Sequence, residues 1–246
     1  MNQDWTKEYF DELYLKYFLS TQNEELTKLQ VKFLENLLKP EGKILDSGCG
    51  IGRHSILLAK DGFKITGIDT SRIFLDEANR SLKESKVENC EFKLLDMRKL
   101  DFKGEFDGVI SLWFSFGYFD DETNFSILKG FYDALNKDGI LIIDVENRDY
   151  ILKNFVYETF KEKDNLFILE RRKFDPITSV VRTHRFFIGE NFRKDYLRYI
   201  RIYSATEMIN LFKAVGLKNI AIFGDYTGEE FSILSKRIII TGKKLD

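Results

Sequence analysis

The sequence predicts an α/β protein built on a doubly wound parallel sheet. Three observations carry that expectation. Apolar strand-like runs alternate with amphipathic helical stretches between residues 43 and 147, as in successive βαβ units. The strand runs, "ILII" among them, are apolar throughout rather than alternating, as required when helices cover both faces of a sheet. Acids and glycines recur where the strand runs end, and that is where open α/β sheets bind ligands.

In chain order, residues 24–38 predict a helix, because Leu26, Leu29, Phe33, Leu34 and Leu37 recur at steps of three and four. Pro40 stops it by removing a backbone donor. "KILDSG" is the first strand, "RHSILLAKDG" a helix closed by Gly62, and "FKITGID" the second strand. Residues 71–86 predict a helix with Leu75, Ala78 and Leu82 on one face, capped by Thr70 or Ser71. "CEFKLLD" and "EFDGVISLW" are strands three and four. Residues 121–139 align Phe125, Leu128, Tyr132 and Leu135 on a helix ending at Gly139, and "ILIIDVEN" is strand five. The pattern then changes. "NLFILERRKFD", "SVVRTHRFFIG" and "RKDYLRYIRIY" predict an antiparallel insertion over residues 150–203, with "DPIT" as a turn. Residues 204–217 open with a capping box, Ser204 and Glu207. "KNIAIFGDY" and "SKRIIITGK" are the final strands.

A chain of 246 residues, 43% hydrophobic and 32% charged, has the composition of a soluble globular protein with one core. No apolar run approaches the ~18 residues of a membrane span. The opening "MNQDWTKEYFDELY" lacks the pattern of a secretory signal, so a cytoplasmic protein is expected. Two cysteines, Cys49 and Cys90, and two histidines, His54 and His184, leave little material for a disulfide framework, a metal site or a histidine-based triad. No metal is expected. A net charge of −2 argues against general nucleic-acid binding. The insertion departs from that average, with twelve Lys/Arg against seven Asp/Glu over residues 150–203. Its Arg182, His184, Arg185, Arg193, Arg198 and Arg201 suit an anionic substrate or partner, or form a solvated or dimer face.

"ILDSGCGIGRH", residues 44–54, is a strand breaking into three glycines before a helix. A phosphate-cradling loop would end Gly-Lys-Ser/Thr, but Arg53 and His54 follow the last glycine. A dinucleotide fingerprint would place its third glycine at residue 53, and here it falls one residue early, at Gly52, which weakens that reading. S-adenosylmethionine has no pyrophosphate and carries a sulfonium and an ammonium. Asp46 suits that cationic end, and Gly48 and Gly50 let the backbone approach without a Cβ. Asp69, nineteen residues after Gly50, is placed to accept from both ribose hydroxyls. Asp96 is placed to accept from the adenine amino group, with Asp101 as an alternative and Met97 against the ring.

With "ILDSGCGIGRH", "TGIDTS", "LLDMRKL", "FDGVISLWFSFGYF" and "LNKDGILIIDVEN", the chain resembles class I S-adenosylmethionine-dependent methyltransferases over roughly residues 40–147. "YSATEMINLFKAVGLKNIAIFGDY" and "KRIIITGKK" resemble the family's last helix and two strands, and the insertion resembles a small-molecule subgroup that includes sugar amine N-methyltransferases. The resemblance implies a Rossmann-like seven-stranded sheet, its last strand antiparallel. It implies a helical lid over residues 1–39, a cofactor core over 40–149, an insertion over 150–203 on the substrate side or a dimer face, and a C-terminal unit over 204–246. Tyr9 and Tyr14 are the expected lid contacts, and Arg53, Thr70 and Leu112 complete the expected cofactor set. Five aromatics in "SLWFSFGYF" suggest a pocket wall, with Phe114, Ser115, Phe116 and Tyr118 facing the substrate. Tyr118, His184 or an acid of the insertion are base candidates for an oxygen acceptor, whereas an amine must arrive neutral. A "DPPY"-type motif and a Pro-Cys nucleophile are absent, which disfavours DNA. The expected activity is methyl transfer to nitrogen or oxygen of a small molecule. The alternatives are an RNA or protein acceptor, or a non-catalytic S-adenosylmethionine-binding protein.

Overall fold

The computed structural model describes residues 5–19 and 23–245. The seven-stranded sheet has the order β10-β11-β5-β4-β1-β2-β3. Its members are β1 (Lys43–Ser47), β2 (Lys64–Asp69), β3 (Cys90–Leu94), β4 (Phe106–Ser111), β5 (Leu135–Glu146), β10 (Lys218–Phe223) and β11 (Arg237–Lys243). β11 runs antiparallel to both β5 and β10, and the pairings among β1 to β5 are parallel. The order reverses between β1 and β4, which opens a crevice at their carboxyl ends.

The apolar runs explain why the sheet is sandwiched. Leu45, Val109, Leu141 and Ile143 enter the cluster on one face, and Ile44, Ile110, Ile140 and Ile142 enter the cluster on the other. Successive side chains point to opposite faces, so an uninterrupted apolar run serves two cores at once. The covering helices are α3 (Glu24–Glu35), α4 (Arg53–Lys60), α5 (Arg72–Ser85), α6 (Asp121–Ala134) and α8 (Ala205–Ala214). α8 has the expected capping box, in which the Ser204 hydroxyl and the Glu207 carboxylate satisfy each other's backbone amides.

Two expectations are corrected. The helix expected to reach Gly139 stops at Ala134, because Leu135 is buried and pairs with Phe106, so β5 begins five residues earlier than the apolar run suggests. The insertion holds four strands rather than three, in the order β6-β7-β8-β9, preceded by α7 (Arg148–Lys153). β6 (Glu158–Lys163) is a charged, largely exposed edge strand paired only with β7 (Leu166–Asp175), so it carries no apolar pattern. β8 (Val180–Gly189) and β9 (Phe192–Arg201) complete this sheet.

The N-terminal segment forms α1 (Thr6–Tyr9), α2 (Glu12–Tyr14) and a π-helical turn over Leu15–Leu19. Its Trp5, Tyr9 and Tyr17 share a third core cluster with Ile168, Val181, Phe187, Tyr196 and Ile200 of the insertion. This segment therefore rests on the inner face of the four-stranded sheet, above the carboxyl ends of the large one. Among the described residues, no helix is long and apolar enough to cross a membrane, and no group of three or more His, Cys, Asp or Glu is placed to hold a metal.

Candidate active site

The bend after β1 has left-handed backbone at Gly50 (φ +56°) and Gly52 (φ +73°). The open side of Gly50 faces a cavity, where an added Cβ would find only Leu19 Cδ1, at 3.9 Å. Gly52 is bare for a different reason: a Cβ there would overlap the Phe92 ring of β3. It allows α4 to pack against the sheet, the role of the third glycine in dinucleotide turns, one residue earlier in sequence.

The carboxylates at the strand ends converge on this bend. Asp69, closing β2, accepts from Gly50 N through Oδ2 and from Ser71 N through Oδ1, each at 2.9 Å. Burial raises its pKa against the pull of these amides. Asp46 in β1 is only 2% exposed and accepts from the Ser55 hydroxyl at 2.6 Å. Burial pushes Asp46 up to about 6, against the Ser55 hydrogen bond and the Arg53 charge. Asp96, after β3, is clasped by Arg98, whose Nη2 donates to Oδ2 at 2.6 Å. Cys49 also lines the cavity, but burial pushes its thiol well above its usual range, so it carries no thiolate nucleophile.

The wall after β4 is strained. Trp113 (φ 53°) and Phe114 (φ 64°) are consecutive bulky residues in the left-handed region, which costs each about 1–3 kcal/mol unless the surroundings impose it. Here they do. The buried Asp144 accepts from Trp113 N through Oδ2 at 3.1 Å, and its carbonyl accepts from Phe114 N at 3.2 Å. The same Oδ2 accepts from Arg237 at 2.6 Å and from the Tyr226 hydroxyl at 2.7 Å. On the other side, Arg53 stacks 4.5 Å from the Trp113 ring and donates to Thr27 and Gln30 of α3. Gln30 also accepts from the Trp113 indole and contacts His54, which burial beside Arg53 keeps neutral.

The expected cofactor residues line one cavity of about 310 Å³ together with Phe114, Ser115 and Tyr118, within the ~300–1,000 Å³ range of small-molecule sites. Phe116 is corrected: it turns into the core, 5.8 Å from the Tyr203 ring. Of the base candidates, Tyr118 lines the cavity, and burial with the neighbouring Tyr14 pushes its phenol far up, which disfavours a phenolate. His184 lies outside the cavity lining, paired with Asp195 at 2.5 Å. Sequence reasoning left out Glu146 at the end of β5, which the strand-end pattern of Asp46, Asp69 and Asp96 would have found. Of the basic cluster expected to suit an anionic substrate or partner, or to form a solvated or dimer face, Arg185 and Arg198 line the cavity, whereas Arg201 is spent on Asp121 and Glu207.

The cavity fits S-adenosylmethionine on its chemistry. It offers a carboxylate preset by two amides for a diol, apolar Met97 and Leu95 for a flat base, and a buried carboxylate beside bare backbone for a cation. A methyltransferase-domain model matches residues 44–139. The "Putative methyltransferase YqeM" of Bacillus subtilis (strain 168) is 30% identical over 220 residues, covering 87% of this chain and 88% of that one. The glycine/sarcosine N-methyltransferase of Aphanothece halophytica is 30% identical over 218 residues, covering 79% and 74%. Among solved structures, the CcbJ methyltransferase from Streptomyces caelestis superposes with a TM-score of 0.81 at 17% identity, over 95% of this chain and 96% of that one. Identity that holds over 88% of a methyltransferase relative and 87% of this chain, with a methyltransferase-domain match over residues 44–139, makes this chain a member of the S-adenosylmethionine-dependent methyltransferase family.

Proposed function

We propose that this protein methylates a small molecule, at an amine nitrogen in preference to an oxygen. The observation that carries the proposal is the continuity of the cavity. One half is walled by the strand-end residues of the large sheet, and the other by Tyr9, Tyr14, Tyr118, Glu146, Arg185 and Arg198 from the lid, the loops and the insertion. Asp69 would hold the ribose, Asp96 and Met97 the adenine, and Asp46 with the Gly48–Gly50 backbone the methionine end. When bound, the cofactor supplies a methyl group already activated as an electrophile. The chain's own contribution is to exclude water and hold the acceptor in line, an effect that reaches ~7–11 kcal/mol in well-oriented intramolecular reactions. Nitrogen is favoured by the relatives named for N-methylation of glycine and sarcosine. Burial of the site beneath the N-terminal segment and the insertion supports a small acceptor over a polymer.

The test is transfer from methyl-labelled S-adenosylmethionine to glycine, sarcosine and a set of amino sugars, with bulk RNA and protein as parallel acceptors. Labelled small-molecule product is expected. Label appearing only in RNA or protein, or no transfer by a protein that binds S-adenosylhomocysteine, would overturn the proposal.

A further inference from the structure

The inner face of the insertion sheet carries more positive charge than its own carboxylates neutralise. Glu170 pairs in register with Arg185, Arg185 with Tyr196, Arg172 with Thr183, and Thr183 with Arg198. Opposite residues of an antiparallel ladder share a face, and the period of two puts Arg172, Arg185 and Arg198 on the same one. Glu170 shares that face and Glu146 reaches it from the end of β5. Lys161 and Lys163 of β6 share the face by register, so it is cationic well beyond these two carboxylates. Lys194 is held by Asp11 at 2.8 Å. Arg185 and Arg198 are the cations of this face that line the cavity.

The donors are as incomplete as the charge. The Arg185 side chain is 6% exposed. Its Nε and Nη2 both donate to Glu170 Oε1, at 2.7 and 2.5 Å. Its Nη1 has no partner among the described residues. Phe18 stacks 4.0 Å from this guanidinium and keeps water from one side. The Tyr9 hydroxyl, also lining the cavity, is likewise buried without a partner among the described residues. The ion pair between Arg198 and Glu146 spans 3.9 Å, too long for a hydrogen bond. A buried donor left unpaired is costly, so Arg185 Nη1 and the Tyr9 hydroxyl, beside one cavity, mark a place completed by an acceptor.

We infer that the methyl acceptor carries a carboxylate, seated on Arg185 Nη1, the Tyr9 hydroxyl and Arg198. A carboxylate brings two acceptor oxygens and a negative charge to this small set of donors on a cationic face. The inference rests on the methyltransferase reading and adds the acceptor's class to it. It also assigns the insertion a task, recognition of the end of the substrate remote from the reacting atom.

The test uses the full chain saturated with S-adenosylhomocysteine. Sarcosine and sarcosinamide, benzoate and benzamide, and inorganic phosphate are titrated by ligand-observed NMR. In at least one pair the carboxylate is expected to bind about tenfold or more tighter than its amide. That preference should collapse in Arg198→Gln and Arg185→Gln while S-adenosylhomocysteine affinity is unchanged. Arg185→Gln breaks a buried ion pair, so if it fails to fold, Arg198→Gln decides alone. Equal affinity within both pairs, no binding of any probe, or a preference that survives Arg198→Gln would overturn the inference. Phosphate binding tighter than either carboxylate would reassign the seat to phosphorylated acceptors. Failure to bind S-adenosylhomocysteine would sink the methyltransferase reading itself and is scored separately.

Discussion

Replacing Asp46 by Asn should stabilise the unliganded protein and weaken the site. Burial raises the Asp46 carboxyl from its ordinary 3.8 to about 6. The folded state therefore binds this proton more tightly than the unfolded chain does. Ionised Asp46 opposes folding: the cost is absent below about pH 4, grows between about pH 4 and 6, and is complete above that. A shift of about two units corresponds to about 3 kcal/mol at 1.36 kcal/mol per unit. Asparagine keeps an oxygen for the Ser55 hydroxyl, now 2.6 Å from Asp46 Oδ2, and carries no charge. Urea unfolding without cofactor should show Asp46→Asn equal to wild type near pH 4 and about 2–3 kcal/mol more stable at pH 8. Calorimetry with S-adenosylmethionine should show wild-type affinity falling as pH drops through about 6. Affinity in the variant should be weaker and flat over the same range. A variant that is less stable at pH 8, or a stability difference that does not change between pH 4 and 8, would refute the claim that this carboxylate is held charged for its ligand at the fold's expense.

Three further outcomes follow from the same geometry. Asp69→Ala removes the acceptor for Gly50 N and Ser71 N and should weaken S-adenosylhomocysteine binding about 10–100-fold, since hydrogen bonds to a charged group contribute about 1.5–3 kcal/mol; unchanged affinity by calorimetry would remove Asp69 from the site. Tyr118→Phe should leave turnover within about tenfold of wild type with the same pH profile, because the phenol stays protonated; a loss in the 10²–10⁴-fold range with one ionisation missing would restore it as a general base. Asp144→Ala strands the Arg237 guanidinium and frees Trp113 N, so unfolding should be easier by about 3–5 kcal/mol; a cost under about 1 kcal/mol would mean that this network does not hold the strained wall.

What the sequence determined alone is the layered α/β core and the placement of its acids. Both are local properties. An apolar run such as Ile140–Ile143 has nowhere to point but into two cores, and a strand that gives way to glycine or aspartate ends where its residues say it ends. So Asp46, Asp69 and Asp96 could be assigned to one sheet edge before any contact was known. The tertiary structure decided what depends on partners far along the chain. Phe116 faces Tyr203 rather than the cavity, and Trp113 and Phe114 take left-handed backbone because Asp144, thirty residues on, holds their amides. The charged strand β6 forms because β7 offers it an edge. In sequence, Arg185 and Arg198 are two of a basic cluster, with nothing local to separate them from Arg182, Arg193 or Arg201. Only strand register, which sets their face, and the N-terminal segment packed against that face turn them inward.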